Sequence, residues 1–270
     1  DWYLRRTTLR FHHNNCSDDQ VLALGDLTQQ SLIRQRHRRK TGVRSWPPCG
    51  HTSSVISAAS GPWDDDQHFF LQPPNDDTHQ GSLDPKDWIV YGHAYPNDIG
   101  GVNLQYWFFY AYNDNLGSAN HEADWESIIV ELGSSRTAEG VYFCAHGDCS
   151  RRRSTQFVQW FDGSHPTVWV ADGSHASYPG EWECDHAPAW EEGGDDSCET
   201  NDSYRWFPWL GARGPGIQGG GIINVGERGH ALNGQKFVDY YGQWGENGTS
   251  DITSGPRTPS FQDSWNFRRR

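Results

Sequence analysis

The feature that most constrains this chain is its punctuation. Glycine, proline, asparagine and aspartate recur roughly every ten residues, the spacing of an all-β chain. Between them lie short β-branched and aromatic runs at 88–91, 104–112, 125–132, 141–143, 157–161, 167–171, 222–225 and 237–241. Strand-sized runs bounded by turn residues predict an antiparallel β-sandwich with long decorated loops. No alternation of helices with strands supports a parallel α/β sheet. One helix is expected. Asp26-Leu27-Thr28-Gln29 has capping-box spacing, and Leu27, Leu32 and Ile33 supply an apolar side as far as Arg38. The expected organisation is therefore a strand–helix addition over 1–60, packed on a sandwich domain over 61–270.

Charge narrows the partners. With 22 basic against 35 acidic side chains the net charge is −13, which argues against a nucleic-acid binder, since phosphate affinity rests on Lys and Arg. The basic clusters at 34–40 and 151–153 run against this trend, and the first suits the end of the expected helix. No apolar stretch approaches the roughly 18 residues of a membrane span. An aromatic content of 14% excludes a disordered acidic tail. The absence of methionine predicts a chain that has lost its start, most simply with a targeting peptide. The six cysteines and the sequons at Asn15, Asn201 and Asn247 fit an oxidising compartment, so a secreted, extracellular protein is expected.

Pairing neighbouring cysteines gives Cys144–Cys149 and Cys184–Cys198, which leaves Cys16 with Cys49. A zinc site from Cys49, His51, Cys184 and His186 is the rival, although neither pair has finger spacing. The stretch 181–202 carries nine carboxylates and reads as an acidic loop clipped by its disulfide, its charge simply solvated. Asp162-Gly163-Ser164-His165 recurs as Asp172-Gly173-Ser174-His175. That echo reads as one strand with a similar turn at each end, so at most one of the two histidines serves a given site.

The most informative string is His121-Glu122-Ala123-Asp124-Trp125-Glu126, leading into an apolar strand. Alternation puts Asp124 and Glu126 on the face of Ile128, Val130 and Leu132, which should point into the sandwich. Two carboxylates entering a core-facing row are costly unless paired. A hard divalent cation, calcium or magnesium, held by Asp124, Glu126 and His121 would neutralise them. Turn amides or an arginine would serve as well, and the spacing does not choose between these.

The string HEADWE with the upstream LQYWFFYAYND resembles the HxxDWE-type motif and aromatic strand of two groups. These are the necrosis- and ethylene-inducing-peptide-like proteins and the vacuolar protein sorting-associated protein 62 family. HPTVWVADGSHASYP and the tail with Tyr241-Gly242-Gln243-Trp244-Gly245 resemble the second group. The resemblance spans 85–265. It implies a β-sandwich with a divalent cation at one end, which in the first group helps engage a sugar headgroup of sphingolipids before membrane damage. Carried over, His121, Asp124 and Glu126 match metal positions, a further acidic ligand falls near Asn113 or Asp114, and His175 matches a histidine near the site. Ala123 stands where the first group has a second histidine, and Asn120 where it has glycine.

Three functions follow as expectations. The first is a toxin-like or cytolytic protein binding a glycan or glycolipid headgroup on a target membrane, with Trp107, Trp125, Tyr178 and His175 at the rim. The second is a metal-dependent hydrolase with His175 or Glu122 as general base. The third is a structural domain holding a stabilising ion. Ser174 beside His175 resembles a nucleophile with its base, but adjacent residues in a tight turn rarely meet.

Overall fold

The structure, a computed structural model, describes residues 2–13, 20–22, 67–74, 78–114, 120–145, 147–187, 196–198, 206–208, 220–246 and 253–268. Its first strands are β1 (Thr8–His13), β2 (Gln20–Leu22), β3 (Gln67–Gln72), β4 (Ile89–Pro96), β5 (Val102–Asn113), β6 (His121–Leu132), β7 (Ala138–Ala145) and β8 (Asp148–Ser154). Short strands follow: β9 (Trp160–Phe161), β10 (His165–Pro166), β11 (Trp169–Val170), β12 (Ser177–Tyr178), β13 (Gly221–Asn224), β14 (Gly226–Glu227) and β15 (His230–Ala231). A five-residue helix, α1 (Glu181–Asp185), stands between β12 and β13. The fold is all-β.

Six strands form the central sheet in the order β13-β4-β5-β6-β7-β8, and β2-β1-β3 form a smaller one. The expected wholly antiparallel pairing is corrected at one edge, where β13 runs parallel to β4 with Gly221 opposite Ile89. A long connection brings the chain back to that edge, and parallel pairing requires such a crossover in place of a hairpin. The ladder of β1 with β3, from Thr8 opposite Gln72 to His13 opposite Gln67, joins strands from both sides of the expected boundary at 60.

β6 lies between β5 and β7, and its residues from Ala123 to Glu131 are buried without a break. Both faces of the sheet are therefore covered. On one, Trp107, Ala111 and Trp125 pack with Leu9, Phe69 and Leu71 of the small sheet and with Phe237 and Trp244. On the other, Ile128, Val130, Val141 and Phe143 meet Val158, Trp160 and Val168. The second sheet thus lies on the Trp125 face, not on the Asp124 face as alternation alone suggested. Aromatic side chains bury about 150–250 Å² each, so the face carrying Trp107, Phe109 and Trp125 is the one with most to gain from a full sheet. The opposite face receives the β9–β12 hairpins and the site they carry.

Two expected strands are not formed. Residues 237–241 enter a 3₁₀ turn, Lys236–Asp239, in which the adjacent Phe237 and Val238 are both buried on one cluster; a strand would have sent them to opposite faces. The run 157–161 is split into a 3₁₀ turn, Thr155–Phe157, and β9. The second basic cluster lies on β8, where Arg152 reaches buried Glu131 at 2.6 Å and Arg151 covers the Tyr178 ring at 4.8 Å.

Cys144–Cys149 and Cys184–Cys198 are disulfides, as neighbour pairing predicts. The second commits Cys184 and removes the zinc alternative; His186 instead stacks on Trp182, with its Nδ1 at the Trp182 carbonyl. The expected helix over 26–38, Cys16, Cys49, His51 and all three sequon asparagines lie outside the described residues.

Candidate functional site

Asp124 and Glu126 reach one face because β6 alternates. They pair across the ladder with Tyr110 and Phe108 of β5. Ala123 holds φ 60° just before them, a left-handed conformation that costs a non-glycine residue about 1–3 kcal/mol and persists only where surroundings impose it. Ala123 is fully buried; Glu122 before it meets the Glu246 amide, and Asp124 after it meets His175.

The partner comes from the turn after β11. Gly173 at φ 81° and His175 at φ 58° reverse the chain, and the Asp114 N–H donates to the Gly173 carbonyl at 3.0 Å, fixing the turn over the end of β5. His175 thereby places Nδ1 3.1 Å from Asp124 Oδ2 and lays its ring on Tyr110, with centroids 3.9 Å apart and planes 7° from parallel. With Nδ1–H directed to a carboxylate, the neutral ring keeps Nε2 as an acceptor. Burial first, then the charges of Asp124 and Glu126, push the Tyr110 hydroxyl well above the usual tyrosine range, so it remains protonated and a donor.

A second layer holds the turn. Ser174 Oγ and the Tyr178 hydroxyl both donate to Asp196, each at 2.5 Å. The Asp172 N–H donates to the Ser197 carbonyl at 2.8 Å, and the Cys198 N–H to Asp185 Oδ1 at 2.9 Å. Ser174 thus spends its hydroxyl on Asp196, which sets aside the Ser174–His175 nucleophile pair. The acidic stretch is also not all solvated charge: Asp196 is buried, and Asp185 caps a backbone amide.

The other expected site residues lie elsewhere. His121 Nδ1 donates to the Ala123 carbonyl at 2.7 Å, and Asp114 Oδ1 accepts from Asn120 Nδ2 at 3.1 Å. Among the described residues no three His, Cys, Asp or Glu side chains converge on an ion-sized space. Asp124 and Glu126 remain as adjacent buried oxygen donors, a set whose chemistry suits a hard cation completed by water or hydroxyl oxygens. Trp107, Trp125 and Tyr178 are core side chains, 1%, 5% and 0% exposed, because the small sheet and the β11–β12 hairpin close over them; they do not form a rim.

Glu122 sits apart from His175. Its Oε2 accepts the Glu246 N–H at 3.0 Å. Burial lifts its carboxyl to about 7; the Glu246 amide opposes this and the Glu246 charge adds to it. A pKa raised in the fold above the ordinary 4.5 means that the folded chain holds the extra proton. That contribution to stability is complete below about pH 4.5 and is lost as pH rises through 7. Glu122→Gln is therefore expected to raise the unfolding free energy from urea titration at pH 8 by about 1 kcal/mol after allowance for solvent screening, and to leave it unchanged at pH 4. Equal shifts at both pH values would refute the assignment.

The site opens on a cavity of about 1240 Å³ whose wall includes Tyr110, His175 and the apolar Leu104, Tyr106, Phe108 and Val130. Sequence reasoning missed Tyr110 and Asp196. Tyr110 was one more aromatic in a run of six until the register set it opposite Asp124. Asp196 was one of many acids, and no spacing marks it.

No family model matches the chain, and no curated protein matches it. Among solved structures it is similar to Necrosis and Ethylene inducing Protein 2 from the causal agent of cocoa's Witches Broom disease, at 21% identity over 34% of this chain and 45% of that one, with a TM-score of 0.29. It is similar to NLPPya in complex with glucosamine at 16% identity, covering 36% of this chain and 50% of that one, with a TM-score of 0.29. With NLPPya in complex with mannosamine the identity is 11%, the coverage 69% and 72%, and the TM-score 0.38. The chain spans about half the length of the first two.

Proposed function

We propose that this is a secreted, toxin-like binding protein that engages a glycan or glycolipid headgroup on a target membrane at the His175–Tyr110 end of the cavity, with the buried Asp124 and Glu126 behind those two rings. The observation that carries the reading is the pair of adjacent buried carboxylates, one of them hydrogen-bonded to a histidine on the cavity wall. Carboxylates accept hydrogen bonds from vicinal hydroxyls, the protonated Tyr110 donates, and Nε2 of His175 accepts, so the end of the cavity can read a polyol from several sides. Asp124 and Glu126 would hold calcium or magnesium, which bridges carboxylates to sugar hydroxyls when bound. The two disulfides support an oxidising compartment, and among the described residues no helix is long and apolar enough to cross a membrane.

Sedimentation with vesicles containing glycosylated sphingolipids tests the reading. Asp124→Ala is expected to weaken binding by about tenfold or more, the cost of a charged hydrogen-bonding site. Excess chelator should weaken wild type similarly. Wild-type binding that survives chelation removes the cation, and unchanged binding by Asp124→Ala removes the site. A lowered melting temperature with intact binding would leave the ion-holding structural role.

The Asp124–His175 contact also favours a second reading, a hydrolase in which His175 takes a proton from water while Asp124 fixes its tautomer. A screen of phosphodiesters, esters and glycosides separates the two. Turnover lost in His175→Gln, with binding retained, would select the hydrolase.

A further inference from the structure

Beyond Trp107 the Trp125 face of the central sheet turns polar. His93 and Tyr95 of β4 and Gln105 of β5 are 3%, 3% and 0% exposed, and an irregular strap, residues 264–268, covers them. Buried polar groups need partners, which a strap of free carbonyls supplies and an apolar element would not. Gln105 Nε2 donates to the Ser264 carbonyl at 2.8 Å, and the Tyr95 hydroxyl to the Phe267 carbonyl at 3.0 Å. The Trp265 ring lies flat on His93, with centroids 3.7 Å apart and planes 13° from parallel. Phe267 meets Tyr142 of β7, and Arg268 pairs with Asp98 at 2.6 Å. These links run through side chains and not through a strand ladder, so the strap can come away without unpairing the sheet.

His93 is where the strap, β4 and β14 meet. Its Nδ1 lies 3.1 Å from the Gly226 carbonyl and its Nε2 3.0 Å from the Asn266 side-chain amide, with Glu227 Oε1 at 3.5 Å and the Tyr95 ring centroid at 5.2 Å. A neutral ring donates through one nitrogen and accepts through the other, and the Asn266 amide can turn its N–H to Nε2. We infer that the strap is an acid-released clasp, fastened while His93 is neutral and let go when the ring takes a proton. Burial pushes the buried ring below its ordinary 6.5, and Asn266, Glu227 and Gly226 oppose this less strongly. A released, hydrated ring returns to the ordinary value and binds more protons than the fastened one. Fastening is therefore complete above about pH 6.5 and weakens as pH falls below it. Burial raises the Tyr95 hydroxyl to about 12, so it stays a donor throughout, while Arg268 and Asp98 pair with each other near solvent. The clasp lies on the opposite face of the sheet from Asp124 and does not depend on the headgroup reading.

Hydrogen exchange of the intact chain reads the clasp through two strap amides, Trp265 N–H bonded to the Gln262 carbonyl and Phe267 N–H bonded to the Ser264 carbonyl. Their protection, after division by the intrinsic chemical rate, is expected to fall by about threefold or more between pH 7.5 and pH 5, while amides of β5 and β6 keep theirs. His93→Gln should make strap protection independent of pH. Glu227→Gln leaves the ring in place and removes a carboxylate that favours its charge, so the loss at pH 5 should deepen; this variant carries the test if His93→Gln does not fold. Strap protection unchanged by pH in wild type overturns the inference, as does the same pH dependence in His93→Gln. Protection that rises on acidification, or a smaller loss in Glu227→Gln than in wild type, overturns it too, because the buried ring would then be holding its charge.

Discussion

Trp125→Ala is expected to cost about 3–5 kcal/mol, the range for removing a large aromatic side chain from a packed core. The Trp125 ring lies 4.8 Å from Phe109, 5.1 Å from Trp244 and 5.4 Å from Tyr91 between centroids, with Phe237 at 5.8 Å. These rings come from β4, β5, the 3₁₀ turn after β15 and the segment beyond it, so one truncation loosens the contact between the central sheet and everything stacked on that face. Trp125→Phe is the control. Among the described residues the buried indole N–H has no hydrogen-bond acceptor, so phenylalanine keeps most of the ring packing and removes a desolvated donor, at a cost of about 1.5 kcal/mol or less. Urea denaturation of both variants measures the difference. A Trp125→Ala protein as stable as wild type would show that the ring packs at a surface, as a rim ligand would.

The second large effect concerns Asp196. Its replacement by alanine strands two buried hydroxyls, Ser174 Oγ and Tyr178 OH, for an expected loss of about 2–4 kcal/mol. Stability is only part of the expectation. The turn that carries His175 is tied to residues 196–198, so ligand affinity should fall along with stability although Asp196 touches no ligand. Asp196→Asn retains an acceptor oxygen and should recover most of the affinity. Reduction of Cys184–Cys198 acts on the same segment, and a loop of this length is worth about 3 kcal/mol. Nuclear Overhauser contacts between the His175 and Tyr110 rings, stacked at 3.9 Å in the structure, distinguish positioning from plain destabilisation. In Asp196→Ala, studied below its melting temperature, those contacts should weaken; unchanged contacts would mean that the turn holds its place without Asp196.

The fold was legible where period and punctuation agree. β5, β6 and β7 lie where short aromatic and β-branched runs predict them, and both described disulfides join sequence neighbours. The strand that brings Asp124 and Glu126 to one face was legible for the same reason, since alternation is a local property. Three things were not. The face that receives the second sheet depends on summed aromatic area contributed by distant segments, Leu9 and Phe69 among them. The 3₁₀ turn at Phe237 and Val238 is a tertiary outcome, because the same run would serve as a strand if the core lay on alternate sides. Tyr110 and Asp196 enter the site through cross-strand register and a disulfide-tied segment, relations that no window of sequence contains.

The order of the central sheet has a consequence for how the protein behaves at high concentration. Its two outer strands are β13, only four residues long, and β8. Among the described residues β8 has a strand on one side only, and it carries Arg151, Arg152 and Arg153, fastened respectively over Tyr178, to Glu131 and toward Glu183. A sheet edge is a template for another chain, and short length or fixed positive charge are the two usual ways of spoiling it. The basic cluster that runs against the charge of an acidic chain is therefore expected to oppose growth of the sheet by one more strand.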